Sequence, residues 1–287
     1  MNILLVANKG KLHSALEKQI SNYSDVYSYL INKNLDLFEL IKGLKEITLK
    51  KNFNLFIFIS GETRDENKMM LLNYLFPKEI LRMAQSKSIP LIYLSSLSVF
   101  GIPNKNKVTC FSPRKSIDFY STTKNLFDSF AKDNYSKASI SCILPGSIIN
   151  FKSKNDITNK LIEFFKIFPQ NIIFKKIHPR GNISCVDVND LSKSILFEIN
   201  LLSKKNQSIN FTSKICTINL SISKILKVVF KNKRNLLISN LPFLNSRIFY
   251  FIFNKIYLKK LVLLFNSIRY ESNYKFNEEF YLNNFEK

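Results

Sequence analysis

The chain has 287 residues, enough for one large α/β domain or for one domain with a small appendage. Hydrophobic residues make up 46% of it, which excludes general disorder, and no stretch has the ~18 uninterrupted apolar residues of a membrane span. The net charge of +22 comes from scattered lysines and arginines without any nucleic-acid-binding pattern, so we expect no nucleic-acid partner.

Targeting and metal-binding signals are also missing from the sequence. The four cysteines are widely spaced, form no CxxC pair and have only two histidines beside them, so we expect free thiols and no metal site. The apolar start, residues 1–7, is too short for a signal peptide. A cytoplasmic protein is the simplest interpretation.

The N-terminus predicts a nucleotide-binding β-α unit. Asn2–Ala7 is an apolar run typical of a buried strand, Asn8–Gly10 is a turn, and Lys11–Ile20 has the apolar spacing of a helix. A helix that begins directly after such a turn can bind a pyrophosphate at its N-terminus.

Strands and helices then alternate up to residue 150, which predicts a Rossmann-type, doubly wound parallel sheet. Asp36 is the expected N-cap of its helix, and Pro77 should kink or break the long helical segment. The predicted elements are the strand Val26–Ile31, the helix Asp36–Leu49, the strand Asn54–Gly61, the helical segment Lys68–Ser86, the strand Leu91–Ser95, the helix Tyr120–Lys132 and the strand Ile140–Gly146.

The character of the sequence changes after Asn150. We predict that 1–150 form the Rossmann domain, that 171–201 return to it, and that 151–170 and 202–287 form a small mixed substrate-binding portion. The elements expected here are the helix Ile157–Phe168, the short strand Asn171–Phe174, the segment Ile183–Asp190 and the helix Leu191–Leu201.

The stretch Leu91–Lys124 carries the chemistry. Its strand ends in hydroxyl groups, including that of Ser96, and Tyr120 and Lys124 lie one helical turn apart. A lysine ammonium favours the phenolate form of a nearby tyrosine, and a serine hydroxyl can orient the same substrate oxygen. With a nicotinamide beside them, these three groups could transfer a proton to or from an alcohol while a hydride moves.

The motifs in and around this stretch resemble those of the extended short-chain dehydrogenases/reductases, the NAD-dependent epimerase/dehydratase family. Ser95–Gly101 matches SSxxVYG with Phe100 for the usual Tyr, and Tyr120–Lys124 matches YxxSK with Thr123 for the usual Ser. Leu144–Asn150 is similar to RPGxxYG. The resemblance covers roughly residues 1–200.

Two further segments extend the match. Asn54–Gly61 resembles the DxVxHLAG strand, and Asn73 falls where the family has a helical asparagine. The resemblance implies NAD or NADP as cofactor and a nucleotide sugar as substrate, through C4 epimerisation of a UDP-hexose or 4-keto reduction in surface polysaccharide biosynthesis. It also implies a possible homodimer. The site residues that it implies are catalytic Ser96, Tyr120 and Lys124, cofactor-binding Ala7, Gly10, Lys11, Leu12, Ser60, Gly61, Ser95, Pro145 and Gly146, and substrate-binding Ser98, Asn150 and Arg180.

Besides Phe100 and Thr123, the sequence departs from the family at Leu144, where the family has Arg, and in three further places. The GxxGxxG motif appears as Ala7, Gly10 and His13, so we expect the helix to shift or the imidazole to tilt toward solvent or phosphate. Asn32 stands where an acidic residue would bind an NAD ribose, which leaves NAD and NADP open. The C-terminus after Glu271 is expected to lack the family's closing helix. A catalytically degenerate binding or scaffold protein is therefore the alternative, and an RNA-binding protein of this fold, suggested only by the charge, ranks last.

Overall fold

The computed structural model describes residues 1–32, 34–103, 106–151, 181–204, 208–229 and 268–286. The chain divides into two compact units. The first comprises Met1–Gly101, Cys110–Pro145 and Val188–Cys216, and the second comprises Ile102–Thr109, Gly146–Asp187 and Thr217–Lys287. The domain boundaries drawn from the sequence stay a prediction, because much of the second unit lies outside the described residues.

The strands of both units follow the apolar runs of the sequence. In chain order they are β1 (Asn2–Ala7), β2 (Asp25–Leu30), β3 (Leu55–Phe58), β4 (Leu91–Leu94), β5 (Lys107–Val108), β6 (Ile140–Pro145), β7 (Ser147–Ile149), β8 (Asn182–Asp187), β9 (Phe211–Cys216), β10 (Ile218–Ser221) and β11 (Arg269–Tyr270).

The helices of the described residues follow these strands along the chain, and the last of them comes after β11. They are α1 (Lys11–Ile20), α2 (Leu37–Lys50), α3 (Glu66–Met70), α4 (Phe76–Ser86), α5 (Phe119–Asp133), α6 (Val188–Leu202), α7 (Ile222–Val229) and α8 (Glu278–Glu286), with a π-helical turn at Leu71–Leu75 and a 3₁₀ turn at Leu97–Phe100.

The first unit contains a parallel sheet in the order β2-β1-β3-β4-β6-β9. The chain leaves β1 toward β2 on one side and then adds β3 and the later strands on the other, so the strand order reverses between β1 and β3. In open α/β sheets, ligands bind beyond the carboxyl ends of the strands at this reversal. The predicted Rossmann-type fold is confirmed.

Burial explains why the central strands could be found in the sequence. Leu4 on β1, Phe56 on β3 and Ile92 on β4 are fully buried, and the same holds for nearly every residue of these strands. Helices cover both faces of such a sheet, so its strands are continuous apolar runs rather than alternating ones.

The helices α2 and α5 each begin after an aspartate N-cap. Asp36 accepts a hydrogen bond from the Glu39 N–H at 2.8 Å and caps α2, as predicted. Asp118 accepts from the Ser121 N–H at 2.8 Å and starts α5. An N-cap of this kind stabilises a helix by about 1 kcal/mol.

The interruption predicted at Pro77 is confirmed, but it falls earlier in the chain. Pro77 lies in the first turn of α4, where a missing N–H is tolerated, and the irregular part is the preceding π-helical turn Leu71–Leu75. Proline cannot donate to the carbonyl four residues before it and collides with that carbonyl, so the turn before it widens.

Within its described residues, the second unit has two small sheets, α7 and a closing helix. One sheet has the order β10-β8-β7 and mixes antiparallel with parallel pairing, and β11 pairs with β5. The expectation that no closing helix follows Glu271 is wrong. Helix α8 buries Tyr281 and Phe285 against Ile149 and Leu220, and the Tyr281 hydroxyl accepts from the Asp187 N–H at 2.9 Å.

Some expectations fall outside the described residues. These are the helix Ile157–Phe168, the strand Asn171–Phe174 and the substrate contact of Arg180. Among the residues that the structure does describe, no helix has the length and apolar character needed to cross a bilayer.

Candidate active site

The end of β4 presents two serines with different surroundings. Ser96 caps the 3₁₀ turn Leu97–Phe100, and its Oγ accepts hydrogen bonds from the N–H of Ser98 at 3.2 Å and from the Ser98 hydroxyl at 2.9 Å. Ser98, expected to bind substrate, therefore orients the Ser96 hydroxyl. Ser95, expected to bind cofactor, is buried, and its hydroxyl donates to Asp128 at 2.6 Å.

Helix α5 brings Tyr120 to Ser96. The phenol is partly buried, and a hydrogen bond with Ser96 lowers its pKa. Burial acts more strongly and raises the pKa of Tyr120 above its usual value of 10.0, and the charge of Asp118 adds to that rise. The net lowering expected from the sequence is thus not seen. At neutral pH the phenol holds its proton.

Lys124 lies one turn further along α5 and is only 4% exposed. Its ammonium donates to the carbonyl oxygen of Leu94 at 3.1 Å and to that of Ser60 at 3.3 Å. Burial lowers the pKa of Lys124 from 10.5 to about 8, while the nearby Cys142 thiol acts in the opposite direction. A lysine with this pKa can gain and lose a proton near neutral pH.

Asn73 joins the loop after β3 to α5. It is fully buried in the π-helical turn, its Oδ1 accepts from the Glu62 N–H at 2.9 Å, and its Nδ2 donates to the Glu62 carbonyl at 2.9 Å and to Thr123 Oγ1 at 3.2 Å. Gly61 lies directly before this anchor. A Cβ at Gly61 would come within 3.0 Å of Asn73 Oδ1 and 3.1 Å of Lys124 Nζ, so a side chain there would push one of these groups aside by a few tenths of an ångström.

The carboxyl ends of β1 and β3 meet at the point where the strand order reverses. Ala7 is buried at the end of β1, and the Asn8 side-chain amide donates to the Gly61 carbonyl at 3.0 Å. Asn8 Oδ1 and Ser60 Oγ are buried but have no hydrogen-bond partner within the part of the chain that the structure describes. Two buried polar atoms in need of partners at this edge fit a polar ligand.

The start of α1 has room for such a ligand. Gly10 and Lys11 are exposed there and Leu12 is partly buried, and the nearest atom to an added Cβ on Gly10 is the Asn8 carbonyl oxygen at 3.9 Å. The N-terminus of a helix attracts phosphate through its unpaired N–H groups. These residues therefore fit the phosphates of a dinucleotide.

His13 is accommodated differently from the sequence expectation. The side chain is 7% exposed, and its Nε2 lies 3.0 Å from Ser28 Oγ on β2, which in turn donates to Glu17 Oε1 at 2.6 Å. The imidazole points into the layer between α1 and β2 rather than toward solvent, and α1 still begins at Lys11. Hydrogen bonds to Ser28 replace the close packing that a glycine would give.

The remaining predicted site residues are divided between the two units. Pro145 ends β6 in the first unit, and Gly146 and Asn150 belong to the second. Sequence reasoning missed Asp128, which is buried and binds four side chains. Its position eight residues after Tyr120 and four after Lys124 puts it on the same face of α5, and this spacing is the signal that could have found it.

The chain is similar to known proteins in structure only. No family model and no curated protein matches the sequence. A short-chain dehydrogenase/reductase superfamily protein from Agrobacterium tumefaciens with bound NAD superposes with a TM-score of 0.62 at 13% identity, covering 79% of this chain and 82% of that one. The chain has the short-chain dehydrogenase/reductase fold.

Two enzymes of known reaction are similar in the same way. A dTDP-4-dehydrorhamnose reductase from Clostridium acetobutylicum has a TM-score of 0.61 at 17% identity, covering 85% of each chain. An ADP-L-glycero-D-manno-heptose-6-epimerase from Helicobacter pylori has a TM-score of 0.58 at 14% identity, covering 83% of this chain and 84% of that one. At these identities the short-chain dehydrogenase/reductase fold is what the proteins share.

Proposed function

We propose that the protein is an NAD(P)-dependent oxidoreductase or epimerase that acts on a nucleotide-linked sugar. The observation that carries the proposal is the convergence of Ser96 and Tyr120, with Lys124 one turn along the same helix, at the carboxyl edge of the sheet. Proteins of the same fold include a reductase and an epimerase of nucleotide-linked sugars, and one was solved with NAD. The setting that we propose is the cytoplasmic synthesis of activated sugars for surface polysaccharides.

A bound nicotinamide dinucleotide would supply the hydride acceptor or donor. The start of α1 at Gly10 and Lys11 would hold its phosphates, and Asn8 Oδ1 and Ser60 Oγ offer unused hydrogen-bonding capacity nearby. In the loop after β2, the side-chain oxygen of Asn32 accepts a hydrogen bond from the Asn34 N–H at 3.0 Å. Because Asn32 is an amide and not a carboxylate, this position does not select NAD against NADP.

A protonated Tyr120 suits the role of acid in a reduction. Because the pKa of Tyr120 is raised, the phenol can give its proton to a carbonyl oxygen of the substrate as hydride reaches the carbon. Ser96, held by Ser98, orients that oxygen, and Lys124 can return a proton near neutral pH. A 4-keto sugar is the substrate class that uses this order of events, and C4 epimerisation of a UDP-hexose is the alternative.

The test compares Tyr120→Phe with Tyr135→Phe, a tyrosine that follows α5 and packs on Phe211. Turnover is measured as NADH and NADPH oxidation with UDP- and dTDP-linked 4-keto hexoses, and as C4 epimerisation of UDP-hexoses followed by NMR. We expect Tyr120→Phe to lower kcat by about 10² or more, and Tyr135→Phe to retain wild-type kcat. Equal turnover of the two variants on an accepted substrate would remove Tyr120 from the mechanism.

Cofactor binding is tested separately with Gly10→Ala. The added methyl group meets no protein atom closer than 3.9 Å, so the loss of stability should be limited to the preference for glycine over alanine at the N-cap of α1, about 1 kcal/mol or less. It would lie at the helix start where phosphate binds, so we expect the Kd for NADH or NADPH, measured by nicotinamide fluorescence, to rise about tenfold. Unchanged affinity would place the cofactor elsewhere.

The alternative, a binding or scaffold protein without catalysis, is supported by His13. A buried histidine fills a position where the glycine motif has no side chain. If neither NADH nor NADPH binds at millimolar concentration to the wild-type protein, the scaffold function replaces the enzymatic one.

A further inference from the structure

Asp128 is the centre of a buried polar cluster inside the first unit. The residue is 2% exposed, and each of its carboxylate oxygens is used twice. Oδ1 accepts from the Tyr93 hydroxyl at 2.9 Å and from the Cys142 thiol at 3.8 Å, and Oδ2 accepts from the Ser95 hydroxyl at 2.6 Å and from the guanidinium of Arg114. A buried carboxylate with this many donors is rigidly placed.

Two of the four donors, Tyr93 and Ser95, come from the segment that precedes Ser96, so α5 and the end of β4 are joined residue by residue. Asp128 holds Tyr93 and Ser95, and Lys124 Nζ holds the Leu94 carbonyl that lies between them. The next residue after Ser95 is Ser96, which reaches Tyr120. The side chains at positions 120, 124 and 128, which share one face of α5, thus contact four consecutive residues, 93–96.

Arg114 balances the charge of Asp128. Arg114 comes from the loop before α5, its side chain is 19% exposed, and its second guanidinium nitrogen donates to Ser213 Oγ at 3.4 Å. Removing one partner of a buried ion pair leaves the other charge uncompensated. Asp128 lies one helical turn from Lys124, so an uncompensated charge at Asp128 or Arg114 would change the pKa of Lys124. The titratable groups Cys142 on β6, Tyr93 on β4 and Tyr120 on α5 act on the same lysine.

We propose that Asp128, neutralised by Arg114, is a positioning residue whose carboxylate clamps β4 to α5 and so keeps Ser96, Tyr120 and Lys124 in one arrangement. As a role in catalysis this rests on the proposed function. As a statement about Lys124 it can be tested without any substrate.

The first experiment follows the Lys124 side chain in the unliganded protein. Protein labelled with ¹³Cε-lysine is titrated by NMR, and the Lys124 signal is assigned with Lys124→Arg. We expect Asp128→Asn, which leaves the charge of Arg114, to lower the Lys124 pKa by about one pH unit, and Arg114→Gln, which leaves the carboxylate, to raise it by about as much. The double variant should return toward the wild-type midpoint.

The second experiment measures turnover. Because Asp128 is buried away from solvent, Asp128→Asn should lower kcat about tenfold or more while KM stays within about twofold, since the reacting groups are misplaced rather than removed. Tyr93→Phe deletes a single donor to Oδ1, keeps the ring and should show the same split with a smaller loss of kcat, even if Asp128→Asn folds poorly.

The matched control is Glu198→Gln. Glu198 is also buried in the first unit and also pairs with a cation, Lys214 at 2.8 Å, and with Ser141 at 2.9 Å, but it contacts neither Ser95 nor Tyr93. The Glu198→Gln variant should lose about as much stability as Asp128→Asn and leave the Lys124 titration and kcat unchanged.

The results distinguish the proposed role of Asp128 from the proposed function of the protein. If Asp128→Asn and Arg114→Gln shift the Lys124 midpoint in the same direction, or no further than Glu198→Gln does, the clamp is overturned. If the opposite shifts are observed but the wild-type protein turns over no nucleotide sugar, the clamp stands and the proposed function fails.

Discussion

Replacing Lys124 with methionine should change how the stability of the protein depends on pH. Burial lowers the pKa of this lysine from 10.5 to about 8, so the ammonium is less stable in the folded protein than in the unfolded chain. At about 1.36 kcal/mol for each tenfold change in proton affinity, the difference corresponds to a penalty of about 3 kcal/mol in the free energy of unfolding at pH 7.

The direction of this pH dependence follows from which state, folded or unfolded, loses the lysine proton first. Below about pH 8 both states are charged and the penalty is fully present. As the pH rises from 8 toward 10.5 the folded protein has released its proton while the unfolded chain still holds it, so the stability rises. Between pH 7 and pH 9 the wild-type protein should gain about 1 kcal/mol relative to Lys124→Met.

Urea unfolding at pH 7, 8 and 9 measures this difference. Lys124→Met also leaves the carbonyls of Ser60 and Leu94 without a donor, at a cost of about 1–3 kcal/mol each that does not depend on pH, so the slope and not the absolute difference is the readout. Lys132→Met, on the exposed side of the same helix, should show no slope. A flat difference for Lys124→Met over this range would show that the ammonium is not held in a dry environment.

Two further predictions concern the backbone near the site and the thiols. Gly101 has a φ of 59°, and a Cβ there would lie 1.8 Å from the Lys115 carbonyl oxygen, so Gly101→Ala should lower the free energy of unfolding by about 2 kcal/mol or more, whereas Gly10→Ala, at the N-cap of α1, should lower it by about 1 kcal/mol or less; equal urea midpoints for the two variants would contradict the reasoning. Cys110 is partly exposed, while Cys142, Cys185 and Cys216 are buried, and burial raises the pKa of the last two to about 12. A disulfide reagent at pH 8 should therefore modify one thiol rapidly in the native protein and four in denaturant, and Cys110→Ser should abolish the rapid reaction; two or more fast thiols would show that the core opens readily.

The parts of the fold that the sequence revealed are those with strong local signals. The strands β1, β3 and β4 are buried on both faces and therefore read as unbroken apolar runs. Tyr120 and Lys124 could be paired because helical geometry alone relates residues four apart. The cap at Asp36 was visible because the residue that it binds lies only three positions away.

What the sequence could not show depends on packing between distant segments. The direction of the His13 side chain is decided by Ser28 on the neighbouring strand, fifteen residues away. The pKa of Tyr120 is raised because burial outweighs the hydrogen bond from Ser96, and the degree of burial cannot be read from a motif. Helix α8 was missed after Glu271, although Tyr281 and Phe285 have the spacing of one apolar face.

The π-helical turn at Leu71–Leu75 gives the helix one residue more than a regular path would need. Each residue advances a helix by about 100°, so deleting one residue within this turn to restore a regular helix would rotate Asn73 away from Glu62 and Thr123. The loop after β3 would then lose its attachment to α5, although Ser96, Tyr120 and Lys124, the proposed catalytic side chains, remained in the sequence. The register of a helix that carries none of these three groups is thus one of the conditions for their alignment.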